Sequence, residues 1–245
     1  MDIALALDTS CSMKAADFQP EDRMFVAKRE IEKIIRKRKQ DRFSLVIFAG
    51  EAATWVPLTL DQMLLRTLLK EVEVGMLKDG TAIGNAVGTA LNRLRRSEAK
   101  TRVVILLTDG DNNAGTLSPR QAAALAAEKN IRVYPILIGR GGKVPFPAGK
   151  DIFGREVYEE REMPVNPELL EEIAAETGGR AYRAEDEQEL SQKLAEVLDD
   201  LDKTRLQSGI QSRQKAEAFL PWLFLALSFF VGEFLLRQTR FRRLL

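Results

Sequence analysis

The sequence predicts an α/β fold in which helices flank a doubly wound, mostly parallel central sheet, followed by one C-terminal transmembrane helix. Short continuous apolar runs alternate with longer segments whose apolar residues recur at helical spacing, which is the pattern of a sheet covered by helices. Two of these runs lead to a carboxylate residue: the run 3–7 ends in Asp8, and the run 103–107 is followed by Thr108 and Asp109. Continuous apolar runs are typical of parallel strands that are buried on both faces.

The first half of the chain contributes three predicted strands and three predicted helices. A strand over 3–7 is followed by a helix over 22–38, which ends in a basic run that complements the helix dipole. The remaining elements are a strand over 43–48, an antiparallel edge strand over 52–56, a helix over 63–72 opened by a capping box at 59–62, and a helix that begins after Thr81. We expect Pro57 to end the edge strand, because proline cannot donate to the ladder.

The second half repeats the alternation and adds an insert. After the strand over 103–107, a capping box at 118–121 opens an alanine-rich helix, and a strand follows over 131–138. Pro135 lies inside that strand and argues against a place in the middle of the sheet. The segment 140–165 is too long for an ordinary connection, so we predict a small hairpin there. A helix from 166, a strand over 180–184 and an amphipathic helix from 186 complete the fold.

Oxygen-bearing side chains follow the first strand at alternate positions. Asp8, Ser10 and Ser12 share one tight turn, so their oxygen atoms can converge on one point, and hard cations prefer such ligands. Asp109 ends the neighbouring strand at the same edge of the sheet, where open α/β folds bind their ligands. Thr81 can reach this edge from the adjoining loop. The turn alone would be weak support for a metal site, because Asp and Ser are common in ordinary turns and helix caps.

These residues, in this order and on these elements, resemble a von Willebrand factor A (VWA) domain with its metal-ion-dependent adhesion site and its Rossmann-like fold. The resemblance implies that Ser10, Ser12 and Thr81 offer hydroxyl oxygens to Mg²⁺ or Mn²⁺. It implies that the two carboxylates act largely through coordinated water, and that a protein ligand donates an Asp or Glu carboxylate to the metal. The chain departs from the pattern at Cys11, where relatives usually carry glycine; we interpret this residue as a tolerated spacer, since a thiol is a poor ligand for Mg²⁺.

The composition excludes several classes of function. The chain has 245 residues, 37 Lys and Arg against 36 Asp and Glu, no His and one Cys. The balanced charge gives no reason to expect a nucleic-acid partner. The absence of histidine excludes Ser-His and Cys-His nucleophile pairs and His-ligated zinc. We therefore expect a binding module that is not an enzyme, with a Mg²⁺-dependent hydrolase of phosphate esters as the alternative from another class.

The composition changes after the final predicted helix. We assign 1–203 to the VWA domain, 204–217 to a polar linker, 218–237 to a transmembrane helix and 238–245 to a basic tail. A buried core helix is the alternative for the apolar segment, but a completed domain already precedes it. Glu233 is the one charge in this segment and can pair with Arg237 one turn away.

Several motifs together resemble the bacterial Bat (aerotolerance) family, in particular its BatA-like members. They include Phe48-Ala49-Gly50-Glu51-Ala52, Asp79-Gly80-Thr81-Ala82-Ile83-Gly84, Leu107-Thr108-Asp109-Gly110 and Asn113-Ala114-Gly115, besides the insert and the terminal apolar segment. The resemblance implies a scaffold in stress or envelope functions that works with a MoxR-type AAA+ ATPase, other VWA proteins and tetratricopeptide-repeat proteins. An accessory subunit of a membrane transport complex is a third interpretation.

Two further expectations concern location and partner choice. The arginine-rich tail predicts a protein of the bacterial inner membrane with a cytoplasmic tail and a periplasmic VWA domain. That orientation requires apolar segments upstream of Met1, which relatives usually have, so we expect an incomplete amino terminus. The insert leaves the sheet at the same edge as the metal residues, and we expect it to shape partner choice through Phe146 and Phe153, although aromatic residues in hairpins often pack on their own loop.

Overall fold

The computed structural model describes the backbone of residues 1–18, 21–150, 153 and 155–238. It describes the side chains of these residues except at 150, 204–221 and 235–238. The chain divides into two compact units, Met1–Asp199 and Asp200–Leu245. The first unit contains the sheet and all of the predicted metal residues.

Six strands form the central sheet. They are β1 (Asp2–Asp8), β2 (Arg42–Phe48), β3 (Ala52–Thr59), β4 (Arg102–Thr108), β5 (Arg132–Ile138) and β8 (Tyr182–Ala184). Their order is β3-β2-β1-β4-β5-β8, and only β3 runs antiparallel to its neighbour among the described strands of this sheet. Two further strands, β6 (Gly142–Lys150) and β7 (Glu156–Met163), pair with each other and with no other strand of the described residues, and they form the predicted hairpin.

The helices of the first unit connect these strands. They are α1 (Arg23–Lys37), α2 (Gln62–Glu71), α3 (Ile83–Leu94), α4 (Pro119–Glu128) and α5 (Pro167–Thr177), with a short 3₁₀ turn at Cys11–Lys14. The last helix, α6 (Glu187–Gln238), begins in the first unit and continues through the second. Ser118 caps α4 in the predicted capping box. At α2 the cap is Asp61, whose side chain accepts a hydrogen bond from the Leu64 N–H, and not the predicted Thr59.

Burial on both faces explains why the central strands are continuous apolar runs. All seven residues of β1 are buried. On one face, Ala4 and Ala6 of β1 and Val104 of β4 belong to a core cluster that includes Ile83 and Val87 of α3. The small side chains on β1 let this helix lie close to the middle of the sheet. The helix that follows Thr81 is therefore fixed against the strand that ends in Asp8.

Two prolines in the sheet are accommodated in different ways. Pro57 does not end β3 as predicted: the register shifts between the Leu45–Val56 and Phe43–Thr59 pairs, so a bulge at Pro57 lets the edge strand continue to Thr59. Pro135 lies in β5 opposite Leu106 of β4. The pairing of β5 with β8 involves Ile136–Ile138, so Pro135 pairs with β4 alone and has an edge position within β5, where proline is tolerated.

The strand order places the predicted site at a topological switch point. The chain moves from β1 to β2 on one side of the sheet, and β4 lies on the other side of β1. Leu7 pairs with Leu107, so Asp8 and Thr108 lie side by side at the carboxyl edge. Connections that diverge from adjacent parallel strands leave a crevice between them, and ligands bind there in open α/β sheets.

The predicted transmembrane helix over 218–237 is wrong. A membrane-spanning helix needs about 20 consecutive, mainly apolar residues, and over the residues described here no helix combines that length with that apolar character. The predicted inner-membrane location, with a periplasmic VWA domain and a cytoplasmic tail, depended on this span and is wrong with it. The predicted basic tail beyond 238 lies outside the described residues.

Candidate metal centre

Asp8 is held at the end of β1 by two hydrogen bonds. Its Oδ1 accepts from the Ser10 N–H at 2.9 Å, and its Oδ2 accepts from the Thr108 hydroxyl at 2.7 Å. The side chain is fully buried. Because both donors belong to the sheet edge and its turn, the carboxylate orientation is fixed by local structure.

The turn after Asp8 brings two serine hydroxyls together. The Oγ atoms of Ser10 and Ser12 lie 3.0 Å apart. Thr9, which lies between Asp8 and Ser10, faces elsewhere, since its hydroxyl donates to the Phe48 carbonyl at 3.0 Å and its backbone N–H donates to the same oxygen. That contact ties the turn to β2 and leaves the alternate positions, Ser10 and Ser12, free to share one side.

Asp109 contacts a buried arginine that the sequence reading did not identify. The Arg23 side chain is fully buried, and its Nη1 donates to Asp109 Oδ2 at 3.1 Å. The other side of the guanidinium forms a bidentate pair with Asp17, at 2.7 Å for Nε and 2.5 Å for Nη2. Gly139, at φ +113°, lies so close that a Cβ atom there would be 2.5 Å from the guanidinium. Arg23 is thus enclosed by three separate segments.

Thr81 is positioned by the loop that follows Asp109. Its N–H donates to Asn113 Oδ1 at 2.8 Å, and its carbonyl accepts from the Asn113 and Ala114 N–H groups. Asn112 Oδ1 accepts from the N–H of Ile83 at the start of α3. Gly80 has φ +120°, and a Cβ there would lie 3.2 Å from Asn113 Oδ1, so glycine is needed for both conformation and space. The two loops therefore hold Thr81 beside the carboxylates.

Cys11 lies at the rim of the site with a protonated thiol. Burial, followed by the charge of Asp79, raises the pKa of the Cys11 thiol. Asp79 itself accepts from the Cys11 N–H at 3.2 Å, and this hydrogen bond, with one from the Gly80 N–H, lowers the pKa of Asp79. Metals bind the thiolate form, so this environment agrees with Cys11 being a spacer.

The electrostatics of the two central carboxylates fit a divalent cation. Burial, followed by the charge of Asp109, raises the pKa of Asp8 to about 7. Burial also raises the pKa of Asp109, although the charge of Arg23 opposes the shift. A cation between them would relieve this repulsion. Over the described residues no cluster of three or more Asp, Glu or Cys side chains is arranged to hold a metal, so the site depends on its hydroxyls as well.

All five predicted metal residues meet in one place. Ser10, Ser12, Thr81 and Asp109 line a surface cavity of about 260 Å³, and Asp8 lies beneath them, buried and bonded to Ser10. Asp79, Asp111, Phe146, Arg161 and Met163 also line this cavity. The donors are hard oxygens, which suit Mg²⁺ or Mn²⁺.

The hairpin forms one wall of the cavity. Its first strand is attached to the turn after the serines, because the Ala16 N–H donates to the Pro145 carbonyl at 2.9 Å. Val144, Phe146 and Met163 bury Ala15 in a small cluster. Phe146 is 7% exposed, whereas Phe153 is 74% exposed and lies beneath the Arg155 guanidinium at 5.5 Å. The structure thus places Phe146 at the cavity and does not place Phe153 there.

Comparison with known proteins identifies the fold. Residues 2–196 match the family model of the von Willebrand factor type A domain. An uncharacterized protein of Borreliella burgdorferi is 34% identical over 192 residues, which cover 76% of this chain and 54% of that protein. The chain thus spans about half the length of this relative.

Solved structures of other proteins show the same fold. An aerotolerance-related membrane protein from Bacteroides fragilis superimposes with a TM-score of 0.70 at 28% identity, covering 83% of this chain and 99% of the other. The conserved protein BatB from Bacteroides thetaiotaomicron has a TM-score of 0.67 at 30% identity, covering 81% and 99%. A mussel byssus matrix protein whose metal-ion-dependent adhesion site (MIDAS) motif is occupied by zinc shares the fold. Its TM-score is 0.57 at 20% identity, covering 83% of this chain and 45% of the other.

Proposed function

Because the chain belongs to the von Willebrand factor type A domain family, a family of protein-interaction modules, we propose that it captures partner proteins through a divalent cation. Ser10, Ser12 and Thr81 would hold the cation through their hydroxyl groups, and Asp8 and Asp109 would balance its charge. A bound cation supplies an electrophilic position for an Asp or Glu carboxylate of the partner.

One observation carries this proposal. Three hydroxyls and two carboxylates, delivered by three separate parts of the chain, meet beside an open cavity of about 260 Å³. The carboxylate pair is buried, and burial, followed by the charge of Asp109, raises the pKa of Asp8. A fold that retains such a pair at its switch point gains from a cation there, and the cavity gives a partner access to it.

The cation we propose is Mg²⁺ or Mn²⁺, because every donor in the set is a hard oxygen. The zinc-occupied motif of the mussel byssus protein makes Zn²⁺ the competitor to include in any titration. The phosphate-ester alternative has less support, because three of the five proposed ligands are hydroxyls and the two carboxylates among them, Asp8 and Asp109, are assigned to the cation and not to a general base.

The similarity to BatB and to the aerotolerance-related protein supports a Bat-type role. We propose a scaffold for stress or envelope functions whose partners include a MoxR-type AAA+ ATPase, other VWA proteins and tetratricopeptide-repeat proteins. None of these roles requires this chain to catalyse a reaction.

Direct binding tests this function. A purified MoxR-type AAA+ ATPase is immobilised, and retention of the full chain is compared in Mg²⁺, Mn²⁺, Zn²⁺ and EDTA. We expect the wild type to bind the ATPase in Mg²⁺ or Mn²⁺ and not in EDTA. The Thr81→Ala variant should not bind in either metal. The control variant Thr67→Ala, which removes an exposed hydroxyl from α2, should bind as the wild type does. Equal retention in EDTA would refute a metal-dependent contact.

A further inference from the structure

The wall of the cavity that faces the metal residues carries a positive charge. Among the lining residues, Asp79, Asp109 and Asp111 are acidic and Arg161 is basic. Arg161 belongs to β7 of the hairpin. The cavity is therefore bounded by the cation site on one side and by a guanidinium group on another.

The register of the hairpin explains this orientation. Arg161 pairs with Val144, and Glu159 pairs with Phe146. Side chains that are paired across antiparallel strands lie on the same face, and Val144, Phe146 and Met163 form the face that buries Ala15. Arg161 shares that face but remains half-exposed, with its guanidinium 4.1 Å from the centroid of the Phe146 ring. The ring supports the charged group at the cavity.

The present ion partner of Arg161 can be exchanged. Glu159 Oε1 accepts from Arg161 Nη2 at 2.6 Å, and both side chains are about half-exposed. Ion pairs of this exposure contribute little net stability, because water screens them. A carboxylate brought by a partner can therefore replace Glu159 at low cost, while the stacking on Phe146 continues to hold the guanidinium in place.

The size of the cavity leaves room for two acidic groups. Its volume of about 260 Å³ is several times the roughly 30 Å³ that one water molecule occupies in the liquid. One carboxylate at the cation site would fill only part of this space. The rest lies toward the hairpin wall formed by Phe146, Arg161 and Met163.

We propose that Arg161 is a specificity-determining residue that reads a second acidic side chain of the partner. This inference rests on the proposed function: one Asp or Glu of the partner segment binds at the cation site, and a neighbouring Asp or Glu pairs with Arg161. The ligand class is thus an acidic peptide segment with two nearby carboxylates. The hairpin sets the preference for the second carboxylate, and the metal residues set the requirement for the first.

Peptide selection followed by a double-mutant cycle tests this inference. Phage-displayed random heptapeptides are selected on the full chain in Mg²⁺, and an enriched peptide is synthesised in its original form and with its second acidic residue changed to the amide. The Kd of each peptide is measured for the wild type, Arg161→Gln and Arg155→Gln. Arg155 is the matched control, because it lies on the same hairpin but does not line the cavity.

We expect neutralising either Arg161 or the second acidic residue to raise the Kd about 2- to 5-fold, which is the range for a half-exposed charge pair. Combining both changes should raise it no further, whereas Arg155→Gln should leave the preference unchanged. Additive effects, or enrichment of peptides with a single acidic residue, would overturn the role of Arg161 and leave the metal-dependent function standing. Failure to enrich any Mg²⁺-dependent acidic peptide would refute both.

Discussion

Arg23 shows how a single residue can hold a metal site together. Its guanidinium lies between Asp17 and Asp109 without exposure to solvent, so it balances one of the two buried carboxylates at the cation site. A buried ion pair that loses one partner leaves an uncompensated charge, which costs about 3–5 kcal/mol. The position of Asp109 therefore depends on a residue that we do not expect to contact the cation.

Replacing Arg23 tests this dependence. We expect Arg23→Met to lower the free energy of unfolding by about 3–5 kcal/mol in EDTA, and saturating Mg²⁺ to restore part of the loss, because a cation can compensate Asp109 in its place. Urea unfolding with and without Mg²⁺ measures both effects. Arg36→Met is the control, since Arg36 forms an exposed pair with Glu32. An equal loss of unfolding free energy in the two variants would contradict the role of Arg23 in holding Asp109.

The raised pKa of Asp8 predicts a pH dependence in the metal-free protein. Its pKa is about 7 in the folded state against 3.8 ordinarily, so the folded form binds the proton more tightly. Stability from this group is complete below pH 4 and declines as the pH rises to about 7. In EDTA, the stability of the wild type should therefore fall relative to that of Asp8→Asn between pH 5 and 8. Urea unfolding at each pH measures the stability of both proteins. If their free energies of unfolding change in parallel with pH, Asp8 does not titrate in this range.

For single residues, the sequence predicted the contacts that follow from strand ends and their loops, and it missed the contacts that only the packed structure reveals. Asp8, Ser10 and Ser12 lie within one turn after a strand, so their convergence follows from the strand alone. Arg23 contacts Asp109 across 86 positions, and an arginine in the first turn of a helix usually indicates a solvated side chain. Arg161 was missed for the same reason, because only the hairpin register brings it to the cavity.

At the scale of elements, the hairpin depends on two aromatic residues in opposite ways. Phe146 is buried against the turn that follows the metal serines, and Phe153 is exposed. We expect Phe146→Ala to reduce stability by about 3–5 kcal/mol and to weaken Mg²⁺ binding several-fold, because the Ala15–Ala16 segment loses its support. Calorimetric titration and thermal unfolding measure both. Phe153→Ala should change neither, and a matching loss of Mg²⁺ affinity there would disprove the assignment.

Prediction of the elements succeeded where burial decides the structure. The strands end within a residue or two of their predicted limits, since continuous apolar runs permit little else in a sheet covered on both faces. The errors fall at the edge strand, where a bulge accommodates Pro57, and at the cap of α2, where Asp61 replaces Thr59. In both places the local sequence offers more than one structure: two residues could cap α2, and a proline can either end an edge strand or lie at a bulge.

At the scale of the whole molecule, binding of the cation should stabilise the fold by mass action. Asp8 and Asp109 follow adjacent strands of the sheet, so an ion between them binds the folded state and not the unfolded chain. At 100 times the Kd, the stabilisation is about 2.7 kcal/mol. Differential scanning calorimetry in EDTA and in millimolar Mg²⁺ should show a rise in Tm, and Ser12→Ala with Thr81→Ala should abolish it. An unchanged Tm in the wild type would exclude the site.

The predicted transmembrane helix is the largest error. It was predicted from one nearly continuous apolar run near the end of the chain, whereas the helix found there extends from Glu187 to Gln238, and over the described residues no helix is apolar enough over the length that a span needs. The α/β fold class was predicted correctly, because it depends on the alternation of many strands and helices along the chain, so an error at one element does not change it.

The attachment of the hairpin to the turn beside the metal serines, through Ala16 and Pro145, makes it a recognition module that is anchored at its base. The anchoring contacts are made by Val144, Phe146 and Met163 around Ala15, and among the described strands neither β6 nor β7 pairs with the six-stranded sheet. The sequence at the tip of the hairpin can therefore change during evolution without disturbing the sheet or the cation ligands. Grafting the hairpin tip of a relative onto this chain should transfer that relative's partner preference while the metal affinity stays constant.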